Sequence, residues 1–126
     1  MGPIAGGTLN GDPAEWPDDW SFTEDLDNVL LETNPEDPYS VTIWCIEHDG
    51  ELFIAAAEKE NQWVDFIAQD QRVRLNVDGS LYDARAIHIQ NVEEIKATMP
   101  AYVAKYEFDY EGNFIEDGIL YRLDPR

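Results

Sequence analysis

The sequence predicts a mainly β fold with two helices: one antiparallel barrel of about six strands. Three observations carry that prediction. Two Asp-Gly pairs, Asp49-Gly50 and Asp78-Gly79, each sit between runs rich in β-branched and aromatic residues, a strong local hairpin pattern. The first of these hairpins is apolar on both faces, as suits a barrel wall with a core inside and a cover outside. Two further stretches, from Asn61 and from Asn91, change to helical spacing.

Residues 1–20, "MGPIAGGTLNGDPAEWPDDW", are rich in Gly, Pro and Asp and show no periodicity until Trp20. They predict an extended leader arm ahead of a barrel domain at 21–126, with Trp16 and Trp20 tucking the arm against the body. The arm lacks the basic start and apolar middle of a signal peptide. Met1-Gly2 reads as a scar in place of a removed leader, which leans the native protein towards an extracytoplasmic setting.

The barrel domain begins with "VLLETN", Val29 to Asn34, as a short strand, and "NPEDPYS" follows as a loop bracketed by prolines that cannot donate to a ladder. "YSVTIWCIEH" and "ELFIAAA" then form the first hairpin. A two-residue turn places Glu51 opposite His48, Phe53 opposite Ile46 and Ala55 opposite Trp44. The other face carries Ile43, Cys45, Leu52, Ile54 and Ala56. One of these two apolar faces needs a cover, from a helix or from a second subunit, and a homodimer is the expectation.

Trp63, Phe66 and Ile67 fall at i, i+3 and i+4, one stripe of a short amphipathic helix. "RVRLNV" and "SLYDARAIHI" form the second hairpin. Its register pairs Val77 with Ser80, Leu75 with Tyr82 and Val73 with Ala84 on one face. On the other, Asn76 meets Leu81, Arg74 meets Asp83, and Arg72 meets Arg85. Asn91 is the expected N-cap of a longer helix that Pro100 should break or restart. Tyr102, Tyr106, Phe108 and Tyr110 read as core and rim, and "GILYRLD", Gly118 to Asp124, as the closing strand.

Charge excludes some functions. Twenty-seven acidic residues against eight basic ones give a formal net charge of -19. Nucleic acid and anionic lipid both require a basic footprint, so neither is an expected partner. The acidic excess fits either plain solubility or adaptation to high salt. Cys45 is the single cysteine, so no internal disulfide or thiolate cluster forms, and its apolar setting predicts buried packing. His48 and His88 show no metal-type spacing with other ligands. No nucleophile elbow, Walker loop or Gly-x-Gly-x-x-Gly occurs. No apolar run is long enough to cross a membrane as a helix.

From Leu52 to about Lys96 the chain resembles the split-barrel flavin- and deazaflavin-binding superfamily, in particular the deazaflavin-dependent nitroreductases and pyridoxamine phosphate oxidase-like proteins. The likeness lies in "WVDFIAQDQRVRLNV", with Trp63, with Ile67 at the family's leucine and Asp70 at its second Asn, and in the Arg85-Ala86 of "DARAI". It implies a split barrel, and in such proteins a bound FMN or deazaflavin. The chain departs from the pattern at Phe66, where the family has its first Asn, and at Gln71, where it has Pro. The Gly-rich phosphate loop is reduced to "AEKENQ", and the basic segment of the preceding hairpin is missing. The leader and "LETNPEDPYSV" also resemble uncharacterised bacterial envelope proteins of the same superfamily.

The facing pair Arg72 and Arg85 is the sharpest feature. Like charges directly opposite are unfavourable unless an anion lies between them. That anion is either a carboxylate of the protein or a bound phosphate or carboxylate ligand, for which two guanidinium forks are well shaped. Lys59 and the amides opening the helix at Asn61 would add a second anion contact, and Trp63 would lie beside a flavin ring. Lys59, Asn61, Trp63, Arg72 and Arg85 are thus the candidate cofactor-binding residues. Two functions follow: a cofactor-free binding or structural module of the cell envelope with a degenerate site, or a flavin-type oxidoreductase whose cofactor supplies the chemistry.

Overall fold

Chain order in the computed structural model is β1 (Asp12–Pro13), a short 3₁₀ helix (Ser21–Asp25), β2 (Val29–Thr33), β3 (Tyr39–Ile43), β4 (Cys45–His48) and β5 (Glu51–Ala56). Then come α1 (Gln62–Gln69), β6 (Arg72–Val77), β7 (Ser80–Ile89), α2 (Val92–Tyr106) and β8 (Ile119–Pro125). The structure describes residues 9, 11–26, 28–56, 61–106 and 119–126. The strands form one sheet in the order β3-β2-β6-β7-β8-β5-β4, with β1 added in parallel to β7.

The two hairpins keep the register their turns impose. Asp49 and Gly50 have φ of 57° and 82°, and Asp78 and Gly79 have 52° and 92°, the positive values a primed two-residue turn demands. The ladder between β4 and β5 pairs His48 with Glu51 and Ile46 with Phe53. That between β6 and β7 runs from Val77–Ser80 to Arg72–Arg85.

Eight strands, rather than about six, appear among the described residues. One reason is that "YSVTIWCIEH" is two strands. The ladder of β4 stops at Cys45–Ile54, so Trp44 does not pair with Ala55; β3 turns to β2 instead. The strands flanking Trp44 are therefore the two ends of the sheet, and the sheet curls until those ends meet at that corner. The other reason is β1, which follows no alternating pattern. It and the residue after it bond to the second hairpin, Asp12 N–H to Gly79 O at 3.0 Å and Ala14 N–H to Leu81 O at 2.9 Å. Pro13, between them, has no amide to leave unpaired. The approach is close because Gly11 has no side chain: a Cβ there would lie 2.7 Å from Gly79 O.

The barrel interior is filled from both hairpins, with Cys45, Leu52, Ile54, Val73, Leu75, Val77 and Ala84 buried together with Trp20, Trp63 and Tyr121. A second cluster, Ile46, Phe53, Ile89, Ile95, Met99 and Leu120, lies between the outer face of the sheet and α2. The twice-apolar hairpin thus receives its cover from its own chain. Asn91 caps α2, its Oδ1 accepting the Glu94 N–H at 3.0 Å. The helix does not break at Pro100. Pro100 and Lys96 are both exposed, so water can satisfy the Lys96 carbonyl that proline leaves without a donor. Phe108 and Tyr110, and the side chains of Tyr102 and Tyr106, lie outside the described residues.

Charges of one sign dominate the surface, and screening should relax their repulsion. The melting temperature is expected to rise between low and molar NaCl. A flat response would leave the acidic excess with solubility as its sole role.

Candidate functional site

Helix α1 forms because Trp63, Val64 and Ile67 share a buried face. It ends at Asp70, whose N–H bonds to Phe66 O while its backbone turns extended. The Asp70 carboxylate then folds back over the start of β6. It accepts the Arg72 N–H at 3.0 Å and grips the guanidinium through Nε at 3.0 Å and Nη2 at 2.7 Å. These bonds hold the Asp70 carboxyl down at about 2, so it is ionised at any physiological pH.

Across the ladder Arg72 faces Arg85, and Arg85 in turn faces Asp124 of β8. Asp124 is already committed, because Arg122 donates to it at 2.8 and 3.1 Å. Arg122 also lies 3.5 Å from Glu51 and 3.9 Å from Glu94. Asp83, the next acid on β7, lies 3.7 Å from Arg74 and 3.7 Å from Arg126. Arg85 is the arginine left without an ion pair among the described residues. It opens into a shallow depression of about 490 Å³ lined by Ala68, Gln69, Asp70, Gln71, Arg72 and Arg85.

The other candidates do not join it. Trp63 is only 7% exposed, and its ring packs into the core 5.8 Å from that of Tyr121. Asn61 precedes α1, about 12 Å from the depression by the rise of eight helical residues. Its carbonyl accepts the Val64 N–H and the Asp65 N–H, and its side chain makes no cap bond. Lys59 lies outside the described residues. The structure therefore joins Arg72 and Arg85 and separates both from Trp63 and Asn61.

Among the described residues, the surroundings of Arg72 and Arg85 disfavour a dianionic phosphate. One of the two forks is filled by an ionised carboxylate that would repel a dianion, and the helix end at the depression is the C-terminal one, whose dipole is negative. The Trp63 indole, expected beside a flavin ring, is inside the core.

Asp70 was the residue to find. Its signal is local: an Asp two positions ahead of a strand's first residue, where a carboxylate commonly takes the i+2 amide. A second hollow, of about 440 Å³, is lined by Glu24, Ile46, Glu47, Ala101 and Lys105. Lys105 donates from its wall to Thr23 O at 2.9 Å and Cys45 O at 2.8 Å. Burial pushes the Cys45 thiol above its usual range, which keeps it protonated and unreactive.

No family model matches the sequence. No curated protein matches it either. Solved structures do. A conserved hypothetical protein of Mycobacterium tuberculosis superposes with a TM-score of 0.66 at 16% identity, over 83% of this chain and 76% of that one. A NimC/NimA family protein of Clostridium acetobutylicum gives 0.59 at 15%, over 79% and 73%. A FAD-binding protein of Mesorhizobium loti gives 0.58 at 13%, over 79% and 81%. At such identities the likeness is one of architecture, and on that ground the chain is a split barrel of the kind that flavin-binding proteins build.

Proposed function

We propose that the chain is a cofactor-free binding or structural module, a split barrel whose flavin phosphate site has degenerated. The observation that carries this reading is the Asp70 carboxylate seated in the fork of Arg72. The departures at Phe66 and Gln71 and the reduced "AEKENQ" loop point the same way. An envelope setting rests on the resemblance of the segment from Leu31 to Val41. Homodimer formation belongs to the same proposal. With α2 covering the first hairpin, its surface would draw on other apolar side chains such as Trp44 and Phe22, each 47% exposed. A monomer mass by light scattering at micromolar concentration and moderate salt would remove that part.

Flavin binding is the second reading, favoured by Arg85, which has no carboxylate partner among the described residues, and by the architecture. One set of measurements separates the two. The purified protein should be colourless and release no flavin fluorescence on denaturation, and FMN should leave its melting temperature unchanged. Arg85→Ala should alter stability by no more than about 0.5 kcal/mol, the usual range for a surface change away from special features. A melting shift with FMN that Arg85→Ala abolishes would establish the oxidoreductase reading instead.

A further inference from the structure

We infer that the depression at the C-terminal end of α1 is a binding site for a small monocarboxylate, with Arg85 as the residue that takes its carboxylate. The inference rests on the reading of the barrel as a cofactor-free binding module and names the class of ligand.

The argument starts from an imbalance. In a chain with a net charge of -19, a guanidinium should find a carboxylate easily. Arg72, Arg74, Arg122 and Arg126 all do. Among the described residues Arg85 does not, although acids lie near it in the ladder. Its partner across β8, Asp124, is held by Arg122, and Asp83, two residues away on β7, is shared by Arg74 and Arg126. The fork on its other side, Arg72, is closed by Asp70. Neighbouring acids are each tied to another base, and one positive charge remains facing the depression.

The lining narrows the ligand. Asp70 and Arg72 pair with each other, which leaves Arg85 as the lining charge without an ion pair among the described residues, a setting that suits a monoanion. A dianion would meet the ionised Asp70 at close range and the chain's acidic field at long range. A planar carboxylate matches one guanidinium fork with two parallel hydrogen bonds. Gln69 and Gln71 add side-chain amides, which bind polar groups without changing the charge balance. Gln71 is fixed beside Arg85, because its carbonyl accepts the Ala86 N–H at 2.9 Å. A volume of about 490 Å³ lies within the range of small-molecule sites.

Titration of the ¹⁵N-labelled protein with sodium propionate, followed by NMR, tests this. The Arg85 Nε–H and the side-chain amides of Gln69 and Gln71 should shift saturably, and sodium chloride at matched ionic strength should not reproduce the shift. In Arg85→Gln, shown to be folded by its dispersed amide spectrum, the apparent Kd should weaken at least tenfold. Arg85→Lys, which keeps the charge and loses the fork, should fall between. Equal or tighter response to inorganic phosphate overturns the carboxylate assignment. Silence towards both anions overturns the site and leaves the cofactor-free reading standing. A saturable response of the same signals to FMN, with riboflavin silent, overturns both.

Discussion

Replacing Trp20 by alanine is expected to cost about 3–5 kcal/mol, the scale for deleting a large buried aromatic, and so a large part of the stability of a domain this size. Trp20 is 1% exposed and sits in the barrel core. Its ring meets Trp16 edge-on at 5.0 Å and Tyr82 at 5.0 Å, and it stacks on Phe22 at 5.6 Å. Alanine would forfeit these contacts and open a void at the end of the barrel. The Trp20 Nε1 has no hydrogen-bond partner among the described residues. Trp20→Phe, which removes that stranded donor, should therefore retain much more stability than Trp20→Ala. Urea unfolding of the three proteins by circular dichroism checks the order. A loss below about 1 kcal/mol for alanine, well short of the usual cost of a buried aromatic, would mean that the arm merely leans on the barrel.

Lys105→Met is expected to cost about 2–4 kcal/mol, the sum of two charge-assisted bonds discounted for partial exposure. The ammonium donates to Thr23 O and Cys45 O, carbonyls on residues 82 and 60 positions away, and so ties the 3₁₀ helix and β4 to α2. Methionine keeps the length of the stem but strands both acceptors. The native-state reaction of Cys45 with a thiol reagent should quicken in the same variant, as the segment above it loosens. An unchanged unfolding midpoint would show that water replaces the ammonium at no cost.

What was legible in the sequence was local. The two Asp-Gly turns fixed their own registers, and with them the unusual meeting of Arg72 and Arg85, because side-chain period and turn length leave no freedom. Asn91 as a cap is local in the same way. The parts that escaped depend on partners far along the chain. Trp44 lies inside an unbroken β-type run, and nothing nearby says that the strands on its two sides turn to opposite ends of the sheet. Strand β1 exists because Gly11 permits a close approach to Gly79, which a two-residue pattern cannot announce. The cover over Phe53 comes from Ile95 and Met99, forty and more positions later. Of the candidate site, the arginine pairing was readable, but the burial of Trp63 against Tyr121 was not, since a stripe on a short helix does not say what it faces. Asp70 was readable as well, since a carboxylate two positions ahead of a strand can take the i+2 amide by local geometry alone.

Both hairpin turns are held by the same arm: Asp12 N–H reaches Gly79 O, and Trp20 N–H reaches Gly50 O at 3.2 Å. This sets an order of events in folding. Each hairpin can close by itself in about 1–10 μs, since its contacts are only a few residues apart. Residues 12–20 contact both turns, so the arm is expected to dock after the barrel assembles, and Trp20→Ala should then speed unfolding while leaving the refolding rate nearly unchanged. Interactions formed after the barrier govern how fast a protein comes apart, not how fast it assembles. On that expectation the arm, with Trp20 at its end, acts as a latch on unfolding, and equal loss from the folding and unfolding rates in stopped-flow measurements of Trp20→Ala would overturn it.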